Sequence, residues 1–309
     1  MMKILVTGGA GFIGSHLVDL LLSQNHQVVV LDNFSTGKLN NLPKADRALS
    51  IVNGDIRSSD TVEQAAIGCD AIVHLAAVAS VQASVEDPCG THQVNLVGTL
   101  NLLEAARKQG IKRFVYASSA AVYGDTKELP VSETTQLNPL TPYAADKLAG
   151  EHYIDFYRRQ YDLTPVIFRF FNIFGPRQDP SSPYSGVISI FLQRALAHQA
   201  ITVFGDGEQT RDFVYVADLV RLLEQAVNMA ESVAEPMNVG NAKQTSLNQL
   251  LAAIQDFASH PLDISYSEPR PGDIRYSCAD NQRVREQMGF RNEFTIADGL
   301  KRTWEWMRE

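Results

Sequence analysis

At 309 residues the chain is long enough for a large core and about two domains. Its composition, 45% hydrophobic and 20% charged, is that of an ordinary soluble globular protein. A net charge of −8 and a pI near 5.4 argue against an electrostatic footprint for nucleic acid or an anionic membrane, so a bound anion must be held by a few placed arginines.

KILVTG (3–8) is a short apolar run ending in glycine and reads as a buried strand. It is too short for a signal-peptide core, and no run approaches the roughly 18 apolar residues of a membrane span. TGGAGFIG (7–14) then spaces Gly8, Gly11 and Gly14 three apart, between that strand and the helical period of FIGSHLVDLLLSQ (12–24). Such a turn brings backbone N–H groups and a helix N-terminus to a pyrophosphate. An ordinary strand–helix turn is the alternative, but the flanking strand and helix are those a dinucleotide fold requires. QVVVLD (27–32) is the second strand and ends in Asp32, eighteen residues beyond Gly14. A carboxylate there accepts bonds from a ribose diol and repels a 2′-phosphate; with Asn33 next and no Arg beside it, NAD is expected over NADP.

SIVNGD (50–55) is a third strand, and Asp55-Ile56 at its end could hold the adenine. A helical stretch follows near 58–67. DAIVHLAA (70–77) is the fourth strand. Leu75, Ala76 and Ala77 at its end are small enough for close cofactor approach, or serve plain packing. THQVNLVGTLNLLEAARKQ (91–109) reads as a long helix, KRFVYASS (112–119) as a strand, PYAADKLAGEHYIDFYRRQ (142–160) as a helix and TPVIFR (164–169) as a strand. The alternation predicts an α/β fold with a doubly wound parallel sheet, its ligands beyond the strand carboxyl ends. After about residue 170 the texture changes. A Pro-rich loop (175–186), helices near 187–199, 216–230, 246–258 and 296–308, and a Pro-broken segment at 266–273 predict a smaller, discontinuous domain. The expected division is 1–170 for the dinucleotide domain, with about 212–240 returning to it, and 171–309 mainly for the substrate domain.

Cys69, Cys89 and Cys278 are far apart and odd in number, which suits reduced thiols in a cytoplasmic protein. The seven histidines have no metal-ligand spacing, so no metal is expected. Tyr143 and Lys147 form YxxxK, which puts both on one helix face. A phenol needs help to act as a base at neutral pH, and a nearby ammonium and a cationic nicotinamide both favour phenolate. Ser119 at its strand end can donate to the reacting oxygen. Alone, YxxxK fits any amphipathic surface; after the glycine turn and the serine-bearing strand it becomes specific.

TGGAGFIGSHL, DIRS (55–58), HLAA, Asn95-xx-Gly98-Thr99, SSAAVYG, PYAADK and RFFNIFGPR together resemble the extended short-chain dehydrogenase/reductase family, and within it nucleotide-sugar 4-epimerases. The resemblance runs in order over nearly the whole chain. It implies an NAD-binding Rossmann domain, Tyr143 as base, Lys147 as its partner and Ser119 as hydroxyl donor. It places Gly8, Gly11, Phe12, Ile13, Asp32, Asn33, Asp55, Ile56, Leu75, Ala76, Ala77, Asn95 and Ser118 along the cofactor. It places Asn172, Arg211 and Arg270 on a diphosphate, Asp273 on the uridine ribose, and Val187 and Phe204 on the substrate side. Related dehydratases and decarboxylases carry acids just after the serine shelf; Ala120 and Ala121 stand there and can transfer no proton. That leaves oxidation and re-reduction at one carbon.

In relatives, a residue shortly after the GD of RPGD gates the sugar pocket. Aligning GDIRYSCAD (272–280) places Ser277 at the gate, while a slip of one residue places Tyr276 or Cys278 there. A small gate predicts UDP-N-acetylglucosamine and UDP-N-acetylgalactosamine as substrates, with UDP-glucose/UDP-galactose or a UDP-uronate as alternatives. A non-catalytic NAD sensor or scaffold is the rival of another class. The resemblance also implies a homodimer through the helices at 91–109 and 142–160; core packing is the competing explanation for their several apolar faces.

Overall fold

The computed structural model describes residues 1–180, 186–229, 233, 235–269 and 274–309. Its first half alternates as the hydrophobic periods predict. The elements are β1 (Lys3–Thr7), α1 (Phe12–Ser23), β2 (Gln27–Asp32), β3 (Leu49–Asn53), α2 (Ser59–Ala66) and β4 (Ala71–His74). Then come α3 (Val81–Glu86), α4 (Pro88–His92), α5 (Gly98–Gln109), β5 (Arg113–Ser119), α6 (Pro142–Tyr161) and β6 (Thr164–Phe170). β1 to β6 pair in parallel, in the order β3-β2-β1-β4-β5-β6, and β11 (Met237–Val239) adds a seventh strand beside β6. The sheet is a doubly wound Rossmann sheet.

Burial follows from that topology. Ile4, Leu5 and Val6 of β1 and Ala71, Ile72 and Val73 of β4 are wholly buried, as strands covered on both faces must be. β3 lies at the edge, and its Ser50 and Ile51 are exposed. From β1 the chain winds one way to β2 and β3, then returns to β4 and winds the other way. Thr7 at the end of β1 is registered with Leu31 on one side and His74 on the other. The strand order reverses there, which opens a crevice at the carboxyl ends of β1 and β4.

The helix expected at 91–109 differs in detail. Helical structure starts at Pro88, where the Asp87 carboxylate accepts from the Gly90 N–H, and passes through a π-type turn at Gln93–Val97 before α5. Pro88 and its acidic cap are a start signal that the apolar period alone does not show.

The chain divides into two compact units. The first comprises Met1–Gly124, Gln136–Phe170 and Val220–Met237, and the second Asp125–Thr135, Phe171–Leu219 and Asn238–Glu309. After β6 come β7 (Asn172–Phe174), α7 (Val187–Leu196), β8 (Ile201–Phe204), β9 (Thr210–Arg211), β10 (Phe213–Tyr215) and α8 (Val216–Asn228). Beyond β11 lie β12 (Thr245–Ser246), α9 (Leu247–Gln255), β13 (Ile264–Ser267), α10 (Gln282–Met288) and α11 (Ile296–Arg308). The short strands pair as β7 with β10, β8 with β13 and β9 with β12. Among the described residues no helix is long and apolar enough to cross a membrane, and no group of three His, Cys, Asp or Glu could hold a metal ion.

Candidate active site

The glycine turn leaves β1 with Gly8 at φ 68°, and a Cβ on Gly8 would lie 2.8 Å from the Ala76 amide nitrogen. The ends of β1 and β4 therefore touch through backbone. A Cβ on Gly14 would lie 2.1 Å from the Gly8 carbonyl oxygen, so α1 packs on the turn only as glycine. Gly11 is the N-cap of α1. No side chain caps the helix, and no acidic residue lies in its first turn. An uncapped helix N-terminus at the crevice, approached through glycine, fits a pyrophosphate. Phe12 and Ile13 begin that helix and are half-buried.

Asp32 accepts from the Ala10 N–H at 2.9 Å and the Phe34 N–H at 2.8 Å, which folds the loop after β2 over the glycine turn. Asp55 is clamped by both Nε and Nη2 of Arg57, at 3.0 and 2.8 Å, and by Asn33 Nδ2 at 2.9 Å. The Arg57 guanidinium bond holds that carboxyl down at about 2, against the smaller cost of burial. Asn33 is exposed, and Ile56 is buried with its side chain against Gly98. Leu75, Ala76 and Ala77 are half-buried.

Asn95 lies in the π-type turn, 1% exposed. Its Oδ1 accepts from the Val78 N–H at 2.8 Å and its Nδ2 donates to the Val78 carbonyl at 3.0 Å. Its amide thus fixes the loop after β4. Beneath it runs a directed chain. Thr99 Oγ1 donates to the Asn95 carbonyl at 2.6 Å, so it accepts from His74 Nε2–H at 2.9 Å. His74 Nδ1 then accepts from Thr7 Oγ1–H at 2.8 Å, and Thr7 Oγ1 accepts from the Ala76 N–H at 3.2 Å. Both ring nitrogens are satisfied by a neutral imidazole. Burial, and next the nearby Lys147 charge, push the His74 pKa well down.

Thr141 caps α6, accepting from the Ala144 N–H, and Pro142 occupies the first turn. Such a cap contributes about 1 kcal/mol and fixes where the face carrying Tyr143 and Lys147 begins. Tyr143 is half-buried and hydrogen-bonds Ser119; burial raises the phenol, and the Ser119 bond pulls it back by less. Lys147 is 3% exposed and donates to the Ala117 carbonyl at 2.8 Å. Its Nζ lies 5.0 Å from the Tyr116 ring centre and 5.9 Å from that of Tyr143. Burial pushes its pKa down to about 8, with Asp146 and then Glu151 opposing. Ser119 Oγ accepts from the Ala121 N–H at 3.2 Å, which starts a helical turn at Ala120. Ser118 is buried and donates to Glu151 rather than facing outward. The first unit thus brings Ser119, Tyr143 and Lys147 together, with methyl groups at positions 120 and 121.

In the second unit, Asn172 is exposed at the start of β7, where its backbone pairs with Phe213. Arg211 Nη1 donates to the Thr210 carbonyl at 2.9 Å and the Ile274 carbonyl at 2.6 Å. Its neighbour Asp212 is wholly buried, and accepts from the Asn241 N–H at 2.6 Å and the Ala279 N–H at 2.9 Å. Burial raises that carboxyl to about 6 against four backbone donors. Val187 opens α7 and Phe204 ends β8, both half-buried. Ser277 is half-buried, between an exposed Tyr276 and a buried Cys278. Arg270 and Asp273 lie outside the described residues.

Three buried residues escape the sequence reading: His74, Glu151 and Arg169. Their signal is a polar or charged side chain inside an apolar strand, His74 in AIVH and Arg169 in TPVIFRF, and a third rung of the ladder Tyr143, Lys147, Glu151.

A crevice at the strand-order reversal, a glycine turn with an uncapped helix, and a Ser–Tyr–Lys cluster define a dinucleotide-dependent enzyme that works by hydride and proton transfer. The sequence pattern of the NAD dependent epimerase/dehydratase family matches residues 4–240, and the chain belongs to that family, with NAD as its cofactor. The UDP-glucose 4-epimerase of Mycolicibacterium smegmatis is 42% identical over 311 residues, covering 99% of each chain. A crystal structure of the UDP-glucose 4-epimerase of Thermotoga maritima with UDP-glucose superposes with a TM-score of 0.94, at 38% identity and 99% coverage of both chains. The UDP-N-acetylglucosamine 4-epimerase of Methanobrevibacter ruminantium, in complex with UDP-N-acetylmuramic acid, superposes with a TM-score of 0.95 at 36% identity, covering 99% of this chain and 98% of that one.

Proposed function

We propose that the chain is an NAD-dependent UDP-sugar 4-epimerase that interconverts UDP-N-acetylglucosamine and UDP-N-acetylgalactosamine. The observation that carries the reaction is the Ser119–Tyr143–Lys147 cluster with alanines at 120 and 121. One base and one hydroxyl support redox at a single carbon, with no acid there for dehydration or decarboxylation. Bound NAD supplies the acceptance and return of hydride at the sugar C4. The glycine turn and the N-terminus of α1, with Phe12 and Ile13, hold its pyrophosphate; Asp32 takes the ribose diol; Asn33, Asp55 and Ile56 border the adenine. Leu75, Ala76 and Ala77 line its path, with Asn95 and Ser118 shaping it from behind. Tyr143 takes the proton of the sugar 4-hydroxyl and later returns it. Ser119 donates to the reacting oxygen, and Lys147 keeps positive charge beside the phenol. Asn172 and Arg211 hold the diphosphate, with Val187 and Phe204 on the uridine side. Inversion requires the 4-keto sugar to turn over, so the diphosphate anchor must be firm and the sugar contacts loose.

The N-acetyl preference rests on Ser277. Ser277 is the residue that the resemblance aligns with the sugar gate; its side chain is short and half-buried, where a tyrosine would be far bulkier. The relatives named UDP-glucose 4-epimerases favour UDP-glucose and UDP-galactose as a second reading. The test is a panel of UDP-N-acetylglucosamine, UDP-glucose and UDP-glucuronate, assayed on purified protein without added NAD. Turnover of the N-acetylated sugar with the highest kcat/KM supports the proposal, and Ser277→Tyr is expected to lower that value at least about tenfold. Equal activity of Ser277→Tyr on the N-acetylated sugar removes the gate. A homodimer through the helices at 91–109 and 142–160 is part of the same reading; exposed Tyr153 and Phe156 on α6 support it for the second of these, and the exposed Val81 and Val85 lie instead on α3, ahead of the first.

A further inference from the structure

Beneath the catalytic cluster lies an ion pair with no direct part in the chemistry. Glu151 and Arg169 have side-chain exposures of 6% and 4%, and meet through two contacts, Nε to Oε1 at 3.0 Å and Nη2 to Oε2 at 2.6 Å. Arg169 Nη1 also donates to the Tyr123 hydroxyl at 2.9 Å, with its guanidinium 5.0 Å from that ring. Ser118 donates its hydroxyl to Glu151 Oε1. Ser118 and Arg169 are register partners across β5 and β6, so the one carboxylate ties α6 to both strand ends. A Cβ on Gly150 would lie 2.4 Å from the Tyr116 hydroxyl, so α6 is also seated closely on β5. A buried ion pair costs desolvation and is no reliable source of stability, so its place here calls for another reason.

We propose that Glu151 is a positioning residue for the epimerase reaction: its carboxylate locks α6 to the Ser118–Ser119 strand end, and so fixes the distance and orientation of Ser119 relative to Tyr143 and Lys147. Tyr143, Lys147 and Glu151 are four residues apart on α6 and share one face. Ser119 follows Ser118 directly, so movement of the clamped residue moves the hydroxyl bonded to Tyr143. The same carboxylate favours the Lys147 ammonium. The other groups facing Lys147 are Asp146 and Tyr143 on its own helix, Tyr116 on β5 and His74 on β4.

The inference rests on the 4-epimerase reading for the roles of Ser119, Tyr143 and Lys147, and its test separates the two. Glu151→Gln is expected to lower kcat about tenfold with the UDP-sugar KM within about twofold, because the reacting geometry loosens while the diphosphate grip remains. The Tyr143/Lys147 couple should then lose its proton at lower pH, by about one unit, since a negative charge has gone and Arg169 is left unpaired. Tyrosinate difference absorbance of NAD-loaded protein, referenced to Tyr143→Phe, reads that shift without any sugar. A variant carrying both Glu151→Met and Arg169→Met replaces the pair by apolar chains of similar length and should recover wild-type Tm while kcat stays low. Recovery of kcat together with Tm in that double variant, or an unmoved titration in Glu151→Gln, overturns the proposal. A wild-type protein inactive on every UDP-sugar overturns the 4-epimerase reading instead, and the titration still decides the role of Glu151.

Discussion

Tyr143 stands in surroundings that oppose the proposed role of base. Burial favours the neutral phenol, and the Ser119 bond offsets only part of that. The ammonium of Lys147 is the nearby source of compensation, but burial has brought that group down to about 8. The sign of the pH dependence follows. Below about 8 the ammonium is present and supports phenolate; as pH rises through about 8 it is lost, and turnover is expected to fall on the alkaline side. A kcat–pH profile checks this, and a rate that climbs steadily past pH 9 contradicts it. Tyr143→Phe removes the proposed base and keeps the ring, so kcat should drop about 10²–10⁴-fold with the substrate KM little changed, as read in steady-state assays. The serine, tyrosine and lysine are legible in the sequence because strand end and i, i+4 spacing are local facts. The Asn95 amide is not: its bonds go to the Val78 backbone, and nothing in NLVGT says that the side chain reaches that loop.

Elements of the first unit are legible where a hydrophobic period is long. β1, α1, β2, β5, α6 and β6 fall within a residue or two of their expected bounds. The junctions are less so. Helical structure opens at Pro88 because a carboxylate caps it, and a π-type turn interrupts it where Asn95 is pinned. The strands of the second unit have two to four residues, too few for a period, and exist by pairing: Thr245 with Arg211, Ile264 with Ile201. Packing at the glycine turn makes a sharp prediction. Gly14→Ala puts a methyl into the space of the Gly8 carbonyl, so α1 must shift off the turn. The variant is expected to lose copurifying NAD, and to melt several degrees lower. Absorbance of the nucleotide released on denaturation and a thermal melt read the two effects.

For the molecule as a whole, the exposed side chains Val81, Val85, Tyr153 and Phe156 belong to two helices in contact within the first unit. If this face joins two copies, Tyr153→Lys with Phe156→Glu should halve the mass in sedimentation equilibrium at micromolar protein while the circular dichroism spectrum is retained. An unchanged mass places any self-association elsewhere. The sequence by itself determined the alternating α/β order, the glycine turn, the carboxylate of Asp32 at the end of β2 and the Ser119–Tyr143–Lys147 set. Each of these depends on spacing within a few residues, or on a period that burial on both sheet faces imposes. Only the tertiary structure decided that Asn95 holds a loop, that Thr7, His74 and Thr99 form one directed chain, and that Glu151 binds Ser118 and Arg169. Those partners lie far apart in the chain, and a buried polar group takes the donor or acceptor that packing brings to it.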